Sequence, residues 1–146
     1  MWGSAKRAES GGGRRLVVLA ESDDALRSLL VEVLELGGYR VLATADQRDP
    51  LEVLSTPHDE GRDIEEGCES AVPAIIVQDV NRLGAAGLRA LRESGEFLPT
   101  TPILVITGFP SHDILSAAAS FGRGAVLVKP FALGEFLALV DRLIRS

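Results

Sequence analysis

Five short apolar runs punctuate the chain, at Leu16–Ala20 and at residues 39–43, 74–77, 103–106 and 125–128. Runs of this length without polar alternation suit strands buried on both faces, the condition of a parallel sheet. Between them the period lengthens to that of a helix. Leu26, Leu29, Leu30, Val33 and Leu34 share one helical face, and Gly37 and Gly38 are placed to end it. Leu88 and Leu91 mark a second helix. Ile114, Ala117, Ala118 and Phe121 mark a third, with Ser111 as its expected N-cap. A strongly amphipathic helix follows, carried by Leu133, Phe136, Leu137, Val140, Leu143 and Ile144. A fifth, short helix is expected around residues 50–54. Strands that alternate with helices specify an α/β fold, a doubly wound parallel sheet with helices on both faces, because each parallel connection needs a crossover.

Two segments fall outside this rhythm. Residues 1–13 are rich in glycine and serine and lack any apolar period, so they read as a flexible arm ahead of a domain spanning 14–146. Residues 57–72 carry Asp59, Glu60, Asp63, Glu65, Glu66 and Glu69 against Arg62 alone, and read as an acidic surface insertion. The 146 residues are 46% hydrophobic and 25% charged, which suits one folded domain and excludes a disordered chain. No apolar run approaches the ~20 residues that span a bilayer, and no hydrophobic stretch near Met1 forms a secretion signal. The one cysteine, Cys68, excludes an internal disulfide and fits a reducing cytoplasm. With 15 basic against 21 acidic residues, the net charge of −6 argues against nucleic acid as a partner. His58 and Cys68 fall short of a zinc set. Gly11 to Gly13 precede the first strand, where they cannot cradle a nucleotide phosphate.

In an open parallel sheet, ligands collect outside the carboxyl ends of the strands. Glu21, Ser22, Asp23 and Asp24 follow the first run, Asp79, Val80 and Asn81 the third, Thr107 and Gly108 the fourth, and Lys129, Pro130 and Phe131 the fifth. Two carboxylate groups, a hydroxyl and an ammonium would converge on one rim. Such a set suits phosphoryl chemistry. Facing carboxylates attract Mg²⁺, and one of them can attack phosphorus to become an acyl phosphate. The ammonium and hydroxyl offset the charge of the incoming oxygens. Taken singly, each residue has a plainer use: the acids before the first helix cap it, Thr107 bonds the next turn, and Lys129 is a solvated charge.

In this order the motifs resemble the response-regulator receiver domain of two-component phosphorelays, over residues 16–144. The turn from Ala20 to Arg27 resembles the family's acidic turn and first helix. Asp79-Val80-Asn81, with Gly84 and Gly87 beyond, resembles the phosphoacceptor loop. Thr107-Gly108 resembles the Thr/Ser-plus-small pair, and Lys129-Pro130-Phe131 the Lys-Pro-Phe signature. The resemblance implies a flavodoxin-like five-stranded sheet of order 2-1-3-4-5 and a cis peptide at Lys129–Pro130. It implies Asp79 as phosphoacceptor, Thr107 and Lys129 as contacts of the phosphoryl group, and Mg²⁺ held by Glu21, Asp79 and the Asn81 carbonyl, with Ser22 and Asp23 in reserve. The expected function is that of a stand-alone cytoplasmic receiver, a phosphoacceptor and not an enzyme with turnover. Its donor would be a sensor histidine kinase or a phosphotransfer protein. Its output would pass to a protein partner, or a second copy, through residues 111–121, 125–128 and 132–145, with neither nucleic acid nor membrane involved.

Three positions depart from the family pattern. Ser22 stands where a second acidic residue usually binds the cation, so weaker Mg²⁺ affinity and slower phosphorylation are expected. Val126 stands at the place of the aromatic switch, and Leu83 at that of a frequent proline. The alternative is a pseudo-receiver, a protein-interaction module independent of phosphorylation. A phosphatase of the haloacid-dehalogenase type fits poorly, because its nucleophile follows the first strand and Asp79 follows the third.

Overall fold

The computed structural model describes residues 14–45, 72–81, 83–93 and 100–145. The expected arm, the helix around 50–54, and all but the last residue of the acidic insertion lie outside these residues. In chain order the elements are β1 (Leu16–Ala20), α1 (Asp24–Leu36), β2 (Arg40–Thr44), β3 (Ile75–Asp79), α2 (Gly84–Arg92), β4 (Ile103–Thr107), α3 (His112–Ala119), β5 (Gly124–Val128) and α4 (Leu133–Arg145). The strands form one parallel sheet in the order β2-β1-β3-β4-β5. The expected fold class and strand order are those observed.

Burial along the strands explains why the apolar runs are continuous. β1, β3 and β4 lie inside the sheet and are buried at every position, whereas β2 and β5 form its edges and are partly exposed. Alternate side chains enter two cores. On one face Val17, Leu19, Ile75, Val77, Leu104 and Ile106 meet Leu30 and Leu34 of α1 and Phe136, Val140 and Leu143 of α4. On the other, Val18, Ile76, Ile103 and Val105 meet Leu88 and Leu91 of α2 and Ile114, Ala117 and Ala118 of α3.

Element boundaries differ from the sequence reading where hydrogen bonding overrides hydrophobicity. β2 starts at Arg40 because the Tyr39 N–H still donates to Leu34 O in the turn that closes α1. β3 and β4 run on through polar Gln78, Asp79 and Thr107, whose backbones remain in the ladder. The stripe on α1 is narrower than expected, since Leu29 is 46% exposed. Phe121 is buried but follows the end of α3. Ser111 caps α3 as expected, its Oγ accepting from the Ile114 N–H. Gly124 allows β5 to begin close against α3: a Cβ there would lie 2.6 Å from the Ala118 carbonyl oxygen. The Arg123 guanidinium fastens this corner by donating to Thr100 O and Leu143 O.

Candidate functional site

Parallel strands place all their carboxyl ends on one edge, and the polar residues there gather as the topology dictates. Glu21 follows β1 and its N–H donates to Thr44 O at the end of β2. Asp79 closes β3, pairing with Ile106, and Thr107 lies one residue further on the neighbouring strand. Lys129 follows β5, and its N–H donates to Thr107 O. The Lys129–Pro130 peptide is cis, as expected.

At the centre lie two carboxylates, Glu21 and Asp79, both fully buried. The Lys129 Nζ stands 3.3 Å from Glu21 Oε2 and 3.8 Å from Asp79 Oδ2. Asp79 Oδ2 also accepts from Ser22 Oγ at 3.3 Å, and Asp79 Oδ1 accepts from the Asn81 N–H at 3.0 Å. Glu21 Oε2 accepts from the Asp23 N–H. One ammonium and three lighter donors thus hold a pair of like charges that would otherwise repel in a low-dielectric setting.

The flanking loops are tied to this centre. Thr107 is buried, and its Oγ accepts from the Phe109 N–H at 3.0 Å. That bond uses a lone pair and leaves the hydroxyl proton free to donate. Asn81 Oδ1 accepts from the Gly108 N–H, joining the loops after β3 and β4. Asp23 is turned to another use: its Oδ1 caps α1 by accepting from the Leu26 N–H. Sequence reasoning missed two supports. Arg27 donates to the Glu21 carbonyl and pairs with Asp24, and the buried Gln78 amide donates to the Asp79 carbonyl. The signal for the first was an arginine one turn into a helix that begins with acids; for the second, a polar residue inside an apolar run.

Burial pushes the Glu21 carboxyl above its ordinary range. The Asp23 N–H pulls it back, the Asp79 charge pushes it up again, and Lys129 opposes, leaving a net rise. A carboxyl raised in the folded state favours folding fully below its unfolded pKa, and that contribution is lost as pH climbs through the folded value. Glu21→Gln is therefore expected to raise the thermal midpoint at pH 7 by a few degrees, with the gap to the unaltered chain closing as pH falls toward 4. A larger gap at acid pH would contradict this sign.

For a hard cation the rim offers oxygen donors only. Glu21 Oε1 is buried and has no hydrogen-bond partner among the described residues. Asp79 supplies the second carboxylate, and among the described residues no group of three His, Cys, Asp or Glu side chains forms a metal site. Mg²⁺ is commonly bound by one or two carboxylates, completed by waters and phosphate oxygens, and these residues fit that limited role.

No family model matches the chain. Among curated proteins it is 27% identical over 141 residues to the transcriptional regulatory protein PdtaR of Mycobacterium tuberculosis, covering 97% of this chain and 62% of that protein. It is 31% identical over 132 residues to the response regulator MprA of Mycolicibacterium vanbaalenii, covering 88% of this chain and 50% of the regulator. The chain thus spans less than two thirds of the length of these relatives. Among solved structures, Vibrio cholerae chemotaxis protein CheY4 superposes with a TM-score of 0.67 at 24% identity, over 90% of this chain and 99% of that one. The receiver domain of HemR from Leptospira biflexa gives 0.69 at 22% identity, over 91% and 96%. These structural likenesses show the fold. No helix among the described residues is long and apolar enough to cross a membrane. The sheet order matches that of these receiver structures and the sequence relatives are response regulators, so together they support a response-regulator receiver domain.

Proposed function

We propose that the domain accepts a phosphoryl group on Asp79 from the phosphohistidine of a sensor histidine kinase or phosphotransfer protein, and passes the signal on through protein contacts. One observation carries this reading: Lys129 Nζ lies 3.8 Å from Asp79 Oδ2, on a rim where Thr107 and Asn81 also stand. In the transfer, an Asp79 oxygen forms a bond to phosphorus as the P–N bond breaks, and the leaving imidazole takes up a proton. Asp79 is the nucleophile, held in place by the Asn81 N–H. Lys129 offsets the charge on the transferring oxygens, and the Thr107 hydroxyl has a proton to donate to one of them. Glu21, Asp79 and the Asn81 carbonyl would hold Mg²⁺, which when bound supplies further neutralisation of the phosphoryl oxygens. The group left on Asp79 carries about −1.5 to −2 charges, enough to draw Lys129 from Glu21 and reset the loops bearing it. The domain promotes only its own phosphorylation.

Incubation of the full chain with phosphoramidate and Mg²⁺, followed by intact mass and fragment mapping, tests the reading. Gain of one phosphoryl group, mapped to Asp79, is expected; no gain overturns it. Lys129→Met is expected to slow the gain by ~10² or more, as removal of one charge-stabilising donor typically does.

Output is proposed to run through α3, β5 and α4, where Leu115 and Val128 are 46% and 40% exposed. A second reading, interaction without phosphorylation, is favoured by Ser22, a neutral group beside Asp79.

A further inference from the structure

We infer that Ser22 makes divalent-cation binding in this pocket conditional on the phosphoryl group, so that the cation arrives with the phosphoryl group instead of waiting in the resting site. The inference rests on the reading of Asp79 as phosphoacceptor. At rest the pocket holds two carboxylates and one ammonium, with Lys129 Nζ 3.3 Å from Glu21 Oε2 and 3.8 Å from Asp79 Oδ2. Its formal charge is therefore about −1, and a cation entering it meets an ammonium already seated between the acids.

The oxygens are also largely committed. Asp79 Oδ1 accepts from the Asn81 N–H, Asp79 Oδ2 from Ser22 Oγ, and Glu21 Oε2 from the Asp23 N–H and Lys129. The Asp23 carboxylate, which would have added charge, caps α1. Of the four carboxylate oxygens of Glu21 and Asp79, Glu21 Oε1, on a fully buried side chain, is the one with no hydrogen-bond partner among the described residues. Mg²⁺ demands near-octahedral oxygen coordination and gives up water reluctantly, so one free carboxylate oxygen is a poor exchange.

A phosphoryl group changes both quantities. It replaces the −1 of the Asp79 carboxylate by about −1.5 to −2 and adds three acceptor oxygens, some for Lys129 and some for the cation. Cation affinity rises on loading, and by linkage the cation raises affinity for the phosphoryl mimic by the same factor. A carboxylate in place of the Ser22 hydroxyl would remove the condition.

Calorimetric titration of the full chain with MgCl₂, with and without beryllofluoride as the carboxylate-bound phosphoryl mimic, provides the test. Wild type is expected to bind Mg²⁺ at least tenfold more tightly when the mimic is present. Ser22→Asp is expected to bind Mg²⁺ alone at least tenfold more tightly than wild type, and Ser22→Ala to stay within a few-fold of wild type, because it frees one lone pair on Asp79 Oδ2 but adds no charge. Equal Mg²⁺ affinity with and without the mimic, no gain in Ser22→Asp, or a larger loss in Ser22→Ala would each overturn the inference. Phosphoramidate labelling separates the two claims. A chain that gains phosphoryl mass yet shows uncoupled Mg²⁺ binding fails only here; one that gains no mass fails as a phosphoacceptor, and this inference falls with it.

Discussion

Asp79→Asn is expected to abolish phosphoryl uptake while leaving the domain at least as stable as before. The amide is nearly isosteric and retains an oxygen to accept from the Asn81 N–H, so the loop after β3 keeps its anchor. What changes is charge. Asp79 and Glu21 are both fully buried and share one ammonium, and removing one of two like charges relieves repulsion in the interior. The nucleophile is lost with it, since an amide oxygen does not attack phosphorus to give a stable acyl phosphate. Opposite movements are thus expected from one substitution: no added phosphoryl mass under phosphoramidate, and a thermal midpoint equal to or above that of the unaltered chain. A fall of many degrees would mean that Asp79 is chiefly a structural anchor. Partner binding unaffected by the change would favour the interaction-only reading, because the switch would then have no part in recognition.

Phe136→Ala should have the largest effect on the fold itself. Phe136 is fully buried on α4 and stacks on Phe131, with ring centroids 5.9 Å apart. It lies in the same core as Val77 of β3 and Ile106 of β4, strands that carry Asp79 and Thr107 at their ends. Truncating a buried Phe to Ala costs ~3–5 kcal/mol through lost burial and the cavity left behind. Against a total of ~5–15 kcal/mol, that is a large share of the stability. For a domain of this size the thermal midpoint should fall by about 10–20 °C, measured by circular dichroism. A drop of only a few degrees would show that α4 repacks over the sheet, and that the site's platform depends less on this helix.

Much of this architecture is legible in the sequence because it is written in local periods. The run at Leu16–Ala20 is the strand observed, and the stripe from Leu133 to Ile144 is the closing helix. Ser111 is recognisable as a cap because a hydroxyl just ahead of a helical period has one obvious N–H to accept from. Errors occur where a residue's partner is distant. Leu29 satisfies the helical period yet is exposed, since the width of the buried stripe depends on what covers it. Gln78 and Thr107 end their apolar runs in hydropathy but not in hydrogen bonding, because the ladder is indifferent to side-chain polarity.

The rim shows the same division. Residue types after each strand are one-dimensional information, and a parallel sheet carries them to one edge by topology alone. Which oxygen receives which donor is not. The sequence leaves Asp23 and Ser22 as equal reserves for a cation, and only three-dimensional packing turns Asp23 toward the Leu26 N–H and Ser22 toward Asp79. Nor does the order of residues reveal that Lys129 sits between two buried acids 108 and 50 positions away, or that Arg27 and Gln78 brace their backbones. Strand and helix periods follow from which side chains a segment must bury, and each segment states that for itself; charge pairing in the pocket depends on ångström-scale distances between four strand ends, and those exist only once the sheet has closed around them.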